Sequence, residues 1–136
     1  TPYLRSFIMG VYFIVMYFYK SEVLMHAIPT DFVNYKSTPV FTPDNIPKMF
    51  LHLHNTRAGV YGKITVITGS LKFYGFTERR GEIEQEIVIE QDESAVSPPE
   101  YWHKVEFITD DTRFRVDFYA QKDSDIVTEN RSERSD

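Results

Sequence analysis

The feature that most constrains the fold is a series of short segments with strand character, separated by turns, between residues 25 and 120. The clearest of them is Thr112 to Ala120, where Phe114, Val116 and Phe118 alternate with polar residues. Alternation with a period of two places these side chains on one face of a strand, so we expect them to form a buried stripe. No long amphipathic pattern interrupts the series. Closely spaced strands without helices between them predict an all-β fold, an antiparallel barrel or sandwich.

Earlier segments are predicted to supply the neighbouring strands. Ser37 to Phe41 contains a proline, which cannot donate a ladder hydrogen bond and therefore indicates an edge strand. Met49 to His54 is predicted as a strand with two different faces. Val60 to Thr68 and Leu71 to Phe76 are longer strands, and the Gly69-Ser70 pair between them has the form of a two-residue type II′ turn. We therefore expect these two strands to pair as a hairpin.

The composition narrows the classes of function. A chain of 136 residues is long enough for one domain with its own core. The formal net charge of −5 argues against nucleic-acid binding, which needs clustered basic residues. The chain has no cysteine, which excludes disulfides, a thiolate nucleophile and a zinc–thiolate site. A chain without disulfides suits a reducing compartment, and we expect a cytoplasmic protein.

The two ends differ from the central segment, residues 25–120, which is interpreted as the domain. Residues 1–24 include an apolar run from Phe7 to Tyr19, shorter than the roughly 20 residues of a transmembrane helix. This extension is interpreted in three ways: a segment for membrane association or export, a structural part of the domain, or sequence upstream of a natural start at Met25. We expect its deletion to leave a folded domain. Residues 121–136 are polar and are predicted to be mobile.

Three histidines and one acid form a candidate metal site. His52 and His54 lie two residues apart in a predicted strand, so both rings would lie on the same face. His103 follows about fifty residues later, behind a proline-rich turn that also contains Glu100. Neutral imidazole is the commonest metal ligand in proteins, and carboxylates complete many such sites. We expect His54 and His103 to approach within roughly 4 Å, the separation of two ligands on one ion.

A resemblance to a known family rests on three stretches, STPVFT from Ser37, HNTRAGVYGKITVITGSLKFYGF from His54, and SPPEYWHKVEFITDDTRFRVDFYA from Ser97. Together they resemble the small cupin-like domain of tellurite-resistance-associated proteins, the TehB/YeaR-like group. The resemblance implies a double-stranded β-helix barrel with a histidine-lined pocket, and an association with tellurite resistance and stress tolerance. The chain differs from the wider cupin pattern in two places. It has no acid in the stretch after His54, and it carries Glu100 where glycine is usual.

The histidine pattern and the resemblance lead to one principal function and two alternatives. The principal prediction is a protein that binds a small molecule or oxyanion, with a divalent metal such as zinc, iron or nickel held by the barrel histidines. The alternatives are a mononuclear metal-dependent oxygenase or isomerase, since two histidines and one carboxylate suit iron(II), and a metal-free interaction module. Enzymatic activity is left open, and a homodimer is considered. The predicted metal ligands are His54, His103, His52 and Glu100, and the predicted ligand-binding residues are Arg57, Tyr61, Trp102 and Asp117.

Overall fold

The structure, a computed structural model, describes residues 27–134 of the chain. The expectations for residues 1–24, including membrane association through residues 7–19 and the effect of deleting the extension, lie outside the described residues. Within residues 27–134, no helix is both long enough and apolar enough to cross a membrane.

Eight strands, one short 3-10 helix and one α-helix make up the described part of the chain. In chain order they are β1 Phe32–Ser37, the 3-10 helix Lys48–Leu51, β2 His54–Asn55, β3 Val60–Thr68, β4 Ser70–Phe76, β5 Ile83–Glu90, β6 Ser94–Ser97, β7 Trp102–Phe107, β8 Arg113–Gln121 and α1 Asp125–Arg134.

The strands form two four-stranded sheets that face each other. The first sheet has the order β1-β8-β3-β6 and the second has the order β2-β7-β4-β5, and every neighbouring pair is antiparallel. The chain crosses from one sheet to the other at every connection except the one between β4 and β5, which are consecutive and pair within the second sheet. Two four-stranded antiparallel sheets with this strand order form an eight-stranded jelly roll, which is built from two Greek-key motifs and is the architecture of cupins. The prediction of an all-β, antiparallel, cupin-like double-stranded β-helix is confirmed.

The core lies between the sheets and is built by alternation along the strands. In β3, Ile64 and Val66 point inward while their neighbours are half-buried on the outside. In β8, Phe114 is 0 % and Val116 is 5 % exposed, which confirms the predicted stripe at these two positions. Phe118 continues the same face and packs against the core, but it is only half-buried because it also borders a cavity.

The predicted hairpin at Gly69-Ser70 is wrong, because β3 and β4 lie in different sheets. Gly69 has a φ of +78°, and a Cβ there would lie 2.5 Å from the Thr112 side-chain oxygen. Thr112 accepts a hydrogen bond from the Ser70 amide at 3.1 Å and donates one to the Ser70 carbonyl at 2.9 Å. Thr112, which is buried in the turn before β8, therefore stabilises the connection by which the chain passes from β3 to β4. A turn rule based on two adjacent residues cannot predict this long-range contact.

The predicted strand from Met49 to His54 is also wrong except at its last residue. Residues Lys48–Leu51 form a 3-10 helix that follows Pro47, and Phe50 packs against the core from it. The predicted edge strand at Ser37–Phe41 is displaced as well: β1 ends at Ser37, and only Phe41 makes a bridge, to Phe114. A single helical turn and a short strand can have the same pattern of apolar residues in the sequence, so periodicity alone does not distinguish them.

Residues 125–134 of the C-terminal segment are helical, and the mobility of residues 121–136 stays a prediction. Helix α1 begins at Asp125, and Val127 on this helix is 1 % exposed because it packs with Tyr35, Val60 and Ala120. The Asn130 side-chain amide also donates a hydrogen bond to the Tyr35 carbonyl. One pair of apolar residues in a polar sequence gives too weak a pattern to predict a docked helix.

Candidate functional site

A cavity of about 270 Å³ opens between the two sheets, beside β2 and the 3-10 helix. Its inner wall is mostly apolar, and its polar groups are concentrated at the histidine side and at the mouth, which we define by the exposed residues Lys36 and Arg57. The lining residues are Tyr35, Lys36, Met49, Phe50, His54, Asn55, Thr56, Arg57, Val60, Gly62, Ile64, Ser97, His103, Val105, Phe114, Val116 and Phe118.

The structure brings the His54 and His103 rings together in this cavity. The two residues are direct partners across the β2–β7 ladder, and their ring centroids lie 4.2 Å apart. Phe50 meets the other side of His54 at 5.3 Å, and Phe73 stacks on His103 at 5.4 Å. The expected approach of the two imidazoles is therefore present, while metal binding by them stays a prediction.

Backbone carbonyls determine which ring nitrogen of each histidine carries the proton. The His54 Nδ1 lies 2.9 Å from the His52 carbonyl, and the His103 Nδ1 lies 2.8 Å from the Tyr101 carbonyl. A carbonyl oxygen only accepts, so Nδ1–H donates in both rings. Each neutral ring then keeps a lone pair on Nε2, and neither Nε2 has a hydrogen-bond partner among residues 27–130.

Both imidazoles are held in the neutral form. The pKa of His103 is lowered to about 4, mainly by burial and also by the positive charge that His54 would carry, against the opposing effect of the hydrogen bond to the Tyr101 carbonyl. Burial also lowers the pKa of His54. Two adjacent cations in a largely apolar cavity are unfavourable, so near neutral pH both rings act as hydrogen-bond acceptors through Nε2.

Two buried hydroxyl groups lie behind His103. The Thr56 and Ser97 hydroxyl oxygens are 2.6 Å apart, and the Ser97 oxygen is 3.2 Å from the His103 Nδ1. Because that Nδ1 already carries a proton, it cannot take one from Ser97. The contact therefore positions the His103 ring and does not form the nucleophile–base pair of a serine hydrolase.

Two predicted metal ligands lie away from the cavity. His52 is exposed and contributes its carbonyl, not its ring, because the predicted strand that would have aligned it with His54 is absent. Glu100 is exposed and has a φ of +59°, the left-handed conformation that glycine adopts most readily. Glu100 therefore differs in residue type from the glycine of the cupin pattern, but its backbone has the conformation that glycine favours. Within residues 27–134, no three His, Asp or Glu side chains are grouped as a metal site.

Of the four predicted ligand-binding residues, only Arg57 lines the cavity. Each of the other three directly neighbours an inward-facing residue in its strand, so alternation points it to the outer surface. The Tyr61 ring meets Phe32 edge-on at 5.2 Å. Trp102 lies under the Arg79 guanidinium at 5.7 Å, and Asp117 accepts a hydrogen bond from the Ser37 hydroxyl at 2.6 Å.

Several cavity residues were missed by the sequence reasoning. Lys36 carried no signal, because β1 was not predicted. Phe50 was assigned to a strand instead of a helical turn. Gly62 could have been recognised from the sequence, because strand alternation places it on the inward face between Val60 and Ile64. The absence of a side chain at this position leaves space for the cavity.

The fold and this cavity define an eight-stranded jelly-roll domain with a histidine pair in a largely apolar pocket. Residues 36–116 match the family model of the TehB-like domain. The chain is also 38% identical over 100 residues to the Escherichia coli K12 protein named uncharacterized protein YeaR, covering 71% of this chain and 84% of that protein. The chain therefore belongs to the TehB-like family.

A longer relative shows the same domain in a different context. The chain is 40% identical over 93 residues to a Haemophilus influenzae protein named probable S-adenosyl-L-methionine-dependent methyltransferase TehB. The match covers 68% of this chain but 32% of that protein, so the chain spans about a third of its length.

Solved structures agree with the family assignment. A crystal structure of TehB from Haemophilus influenzae aligns with a TM-score of 0.63 at 39% identity, covering 68% of this chain and 32% of that one. A crystal structure of an E. coli K12 protein aligns with a TM-score of 0.67 at 37% identity, covering 71% of this chain and 97% of that chain.

Proposed function

We propose that the cavity binds a small anionic molecule and that the protein serves as a binding protein in a family related to tellurite resistance. The observation that carries this proposal is the charge of the lining. Lys36 and Arg57 are at the mouth, two neutral imidazoles lie inside, and none of the lining residues within the described range 27–130 is Asp or Glu. An anion inside the cavity therefore meets two basic side chains, while the nearest acid at the mouth, Glu129, lines the adjoining hollow and not the cavity itself.

The basic residues at the mouth are available to a ligand. Neither Lys36 nor Arg57 forms an ion pair with a side chain of residues 27–130. Arginine and lysine both bind oxyanions and carboxylates, and arginine does so with two parallel hydrogen bonds. The methyltransferase activity in the name of the longer relative is not part of this proposal.

Thermal melting in the presence of anions tests the proposal. We expect tellurite, selenite or simple carboxylates to raise the melting temperature of the protein in a concentration-dependent way. A ligand at a hundred times its dissociation constant stabilises the folded state by about 2.7 kcal/mol. The rise should disappear in the double variant Lys36→Gln/Arg57→Gln.

The matched control is Arg113→Gln/Lys122→Gln, which removes two exposed cations that do not line the cavity. This control should keep the response of the natural sequence. The proposal is wrong if no anion in the series stabilises the protein, or if the response survives loss of Lys36 and Arg57.

A metal-dependent enzyme is the second candidate, and one observation favours it. Metal-binding histidines commonly donate their second ring N–H to a backbone carbonyl, as His54 and His103 do. The residues of the described range do not otherwise fit such a centre, because they supply two ligands and no third. Metal analysis of the purified protein separates the candidates: stoichiometric iron or nickel that is lost in His54→Leu would favour the enzyme.

A further inference from the structure

The volume of the cavity indicates the size of ligand that would fill it. An apolar cavity of about 150 Å³ is large enough for benzene. The cavity between the sheets, at about 270 Å³, is nearly twice that size. A bare inorganic oxyanion would leave most of this space unfilled. A molecule with roughly ten non-hydrogen atoms matches it better.

The walls of the cavity require an apolar body. Phe50, Val105, Phe114, Val116 and Phe118 contribute aromatic rings and methyl groups to the lining. A fully hydrated ion would gain nothing from these surfaces and would lose water on entry. An aromatic ring or a branched aliphatic chain gains from each of them.

The mouth requires a charged end on the same molecule. Lys36 and Arg57 also line a second hollow of about 200 Å³, whose other residues include Glu129 and Asn130 of helix α1. The two hollows therefore share these two basic residues, which form the boundary between the largely apolar cavity and a second hollow whose lining includes the Glu129 carboxylate. A ligand that spans this boundary places its anionic group at Lys36 and Arg57 and its apolar part inward.

The imidazole pair adds a requirement at the inner end. Both Nδ1–H groups are taken by backbone carbonyls, so both Nε2 atoms present lone pairs and no hydrogen. A buried acceptor gains from a donor on the ligand, such as a hydroxyl group. A second carboxylate would place its lone pairs against those of the imidazoles, so it is disfavoured at this end.

We propose that the ligand is an organic carboxylate with an aromatic or branched body and a hydroxyl group at the end away from the carboxylate. The inference rests on the proposed function and specifies the class of anion. The carboxylate contacts Arg57 and Lys36, the body fills the apolar wall, and the hydroxyl donates to Nε2 of His54 or His103.

Isothermal titration calorimetry with matched pairs of compounds tests this assignment. The probes are benzoate and 4-hydroxybenzoate, phenylacetate and 4-hydroxyphenylacetate, and the branched pair 4-methylpentanoate and 5-hydroxy-4-methylpentanoate, with sodium tellurite as the inorganic oxyanion. The three pairs differ in the distance between carboxylate and hydroxyl, because only one length of ligand can reach from the mouth to the histidines. We expect at least one pair to bind more tightly than tellurite, since the organic body also contacts the apolar wall. In that pair the hydroxyl should improve the dissociation constant by about three- to tenfold.

Two variants assign the improvement to the proposed groups. His54→Leu and His103→Leu each remove one Nε2 acceptor, and in at least one of them the hydroxylated and unsubstituted carboxylates should bind with nearly equal dissociation constants. The control His52→Leu, at an exposed ring outside the cavity, should preserve the advantage. Melting curves of both variants establish that they are folded.

The outcomes separate this inference from the proposed function. If tellurite binds through Lys36 and Arg57 and no organic pair binds more tightly, the proposed function stands and the assignment of the ligand class is wrong. The assignment is also wrong if no hydroxylated member of any pair is preferred. If neither tellurite nor any carboxylate binds, both proposals fail.

Discussion

The two ends of the jelly roll follow the same strand alternation but reach opposite results. At the closed end, Val66, Leu71 and Ile89 are 0 % exposed and fill the space between the sheets. At the open end, equivalent inward positions are taken by Gly62 and by His103, and a cavity remains. Where the inward residues are aliphatic, the jelly roll has a packed core. Where a few of them are small or polar, a cavity that can bind a ligand remains.

The largest expected effect compares one apolar residue from each end. Leu71→Ala removes a fully enclosed side chain and should lower the free energy of unfolding by about 2–5 kcal/mol. Phe118→Ala removes a larger but half-buried side chain from a wall that already borders open space, so it should cost about 1–2 kcal/mol. Urea denaturation of both variants measures the difference. An equal or larger loss for Phe118→Ala would mean that the open end is packed like the closed end.

The next comparison uses pH, because the titratable rings are buried at the open end. The folded-state pKa of His103 is about 4, below its ordinary value of 6.5, so the unfolded chain binds more protons between these values. The stability contributed by neutral His103 is complete above pH 6.5 and is lost as the pH falls through 4. We expect a loss of about 3 kcal/mol across this window.

The variant His103→Asn should reduce this dependence on pH, since its side-chain amide does not titrate. The control His52→Asn alters an exposed ring and should keep it. Unfolding free energies measured in urea at pH 7, 5.5 and 4.5 provide the comparison. If the natural sequence and His103→Asn lost stability in parallel, the buried histidine would not be responsible.

Two glycines in the sheets sharpen the contrast between packed and open regions. A Cβ at Gly75 would lie 2.1 Å from the Tyr101 hydroxyl, whereas a Cβ at Gly62 would lie 3.6 Å from Val116, an ordinary contact. Gly75→Ala should therefore lower stability by roughly 1–3 kcal/mol. Gly62→Ala should be neutral or stabilising by up to about 1 kcal/mol, because alanine restricts the unfolded chain. Thermal melting ranks the two, and the reverse order would contradict the cavity.

The smallest expected effect concerns the helix beside the mouth of the cavity. Val127→Ala removes two methyl groups from a buried contact and should cost about 1.5 kcal/mol. Thr128→Ala changes the exposed neighbouring position and should have little effect. Urea denaturation compares the two variants. Equal stabilities would place the helix outside the cooperative unit of the domain.

The strand patterns predicted the architecture because alternation is a local property of the chain. Val60 to Thr68 and Thr112 to Ala120 indicate strands with one apolar face, and such strands in close succession need a second sheet to cover them. The approach of His54 to His103 also followed from the motifs. Their burial and proton positions did not, because these depend on the carbonyls of His52 and Tyr101 in the folded chain.

Only the tertiary structure decided which residues share the cavity. Lys36 from β1 and Arg57 from the loop after β2 meet because the two sheets are layered, not because of their spacing in sequence. Tyr61, Trp102 and Asp117 point outward because each directly neighbours an inward-facing residue. The sequence by itself determined the strands and a histidine pair. The register between distant strands, which depends on long-range packing, determined the site.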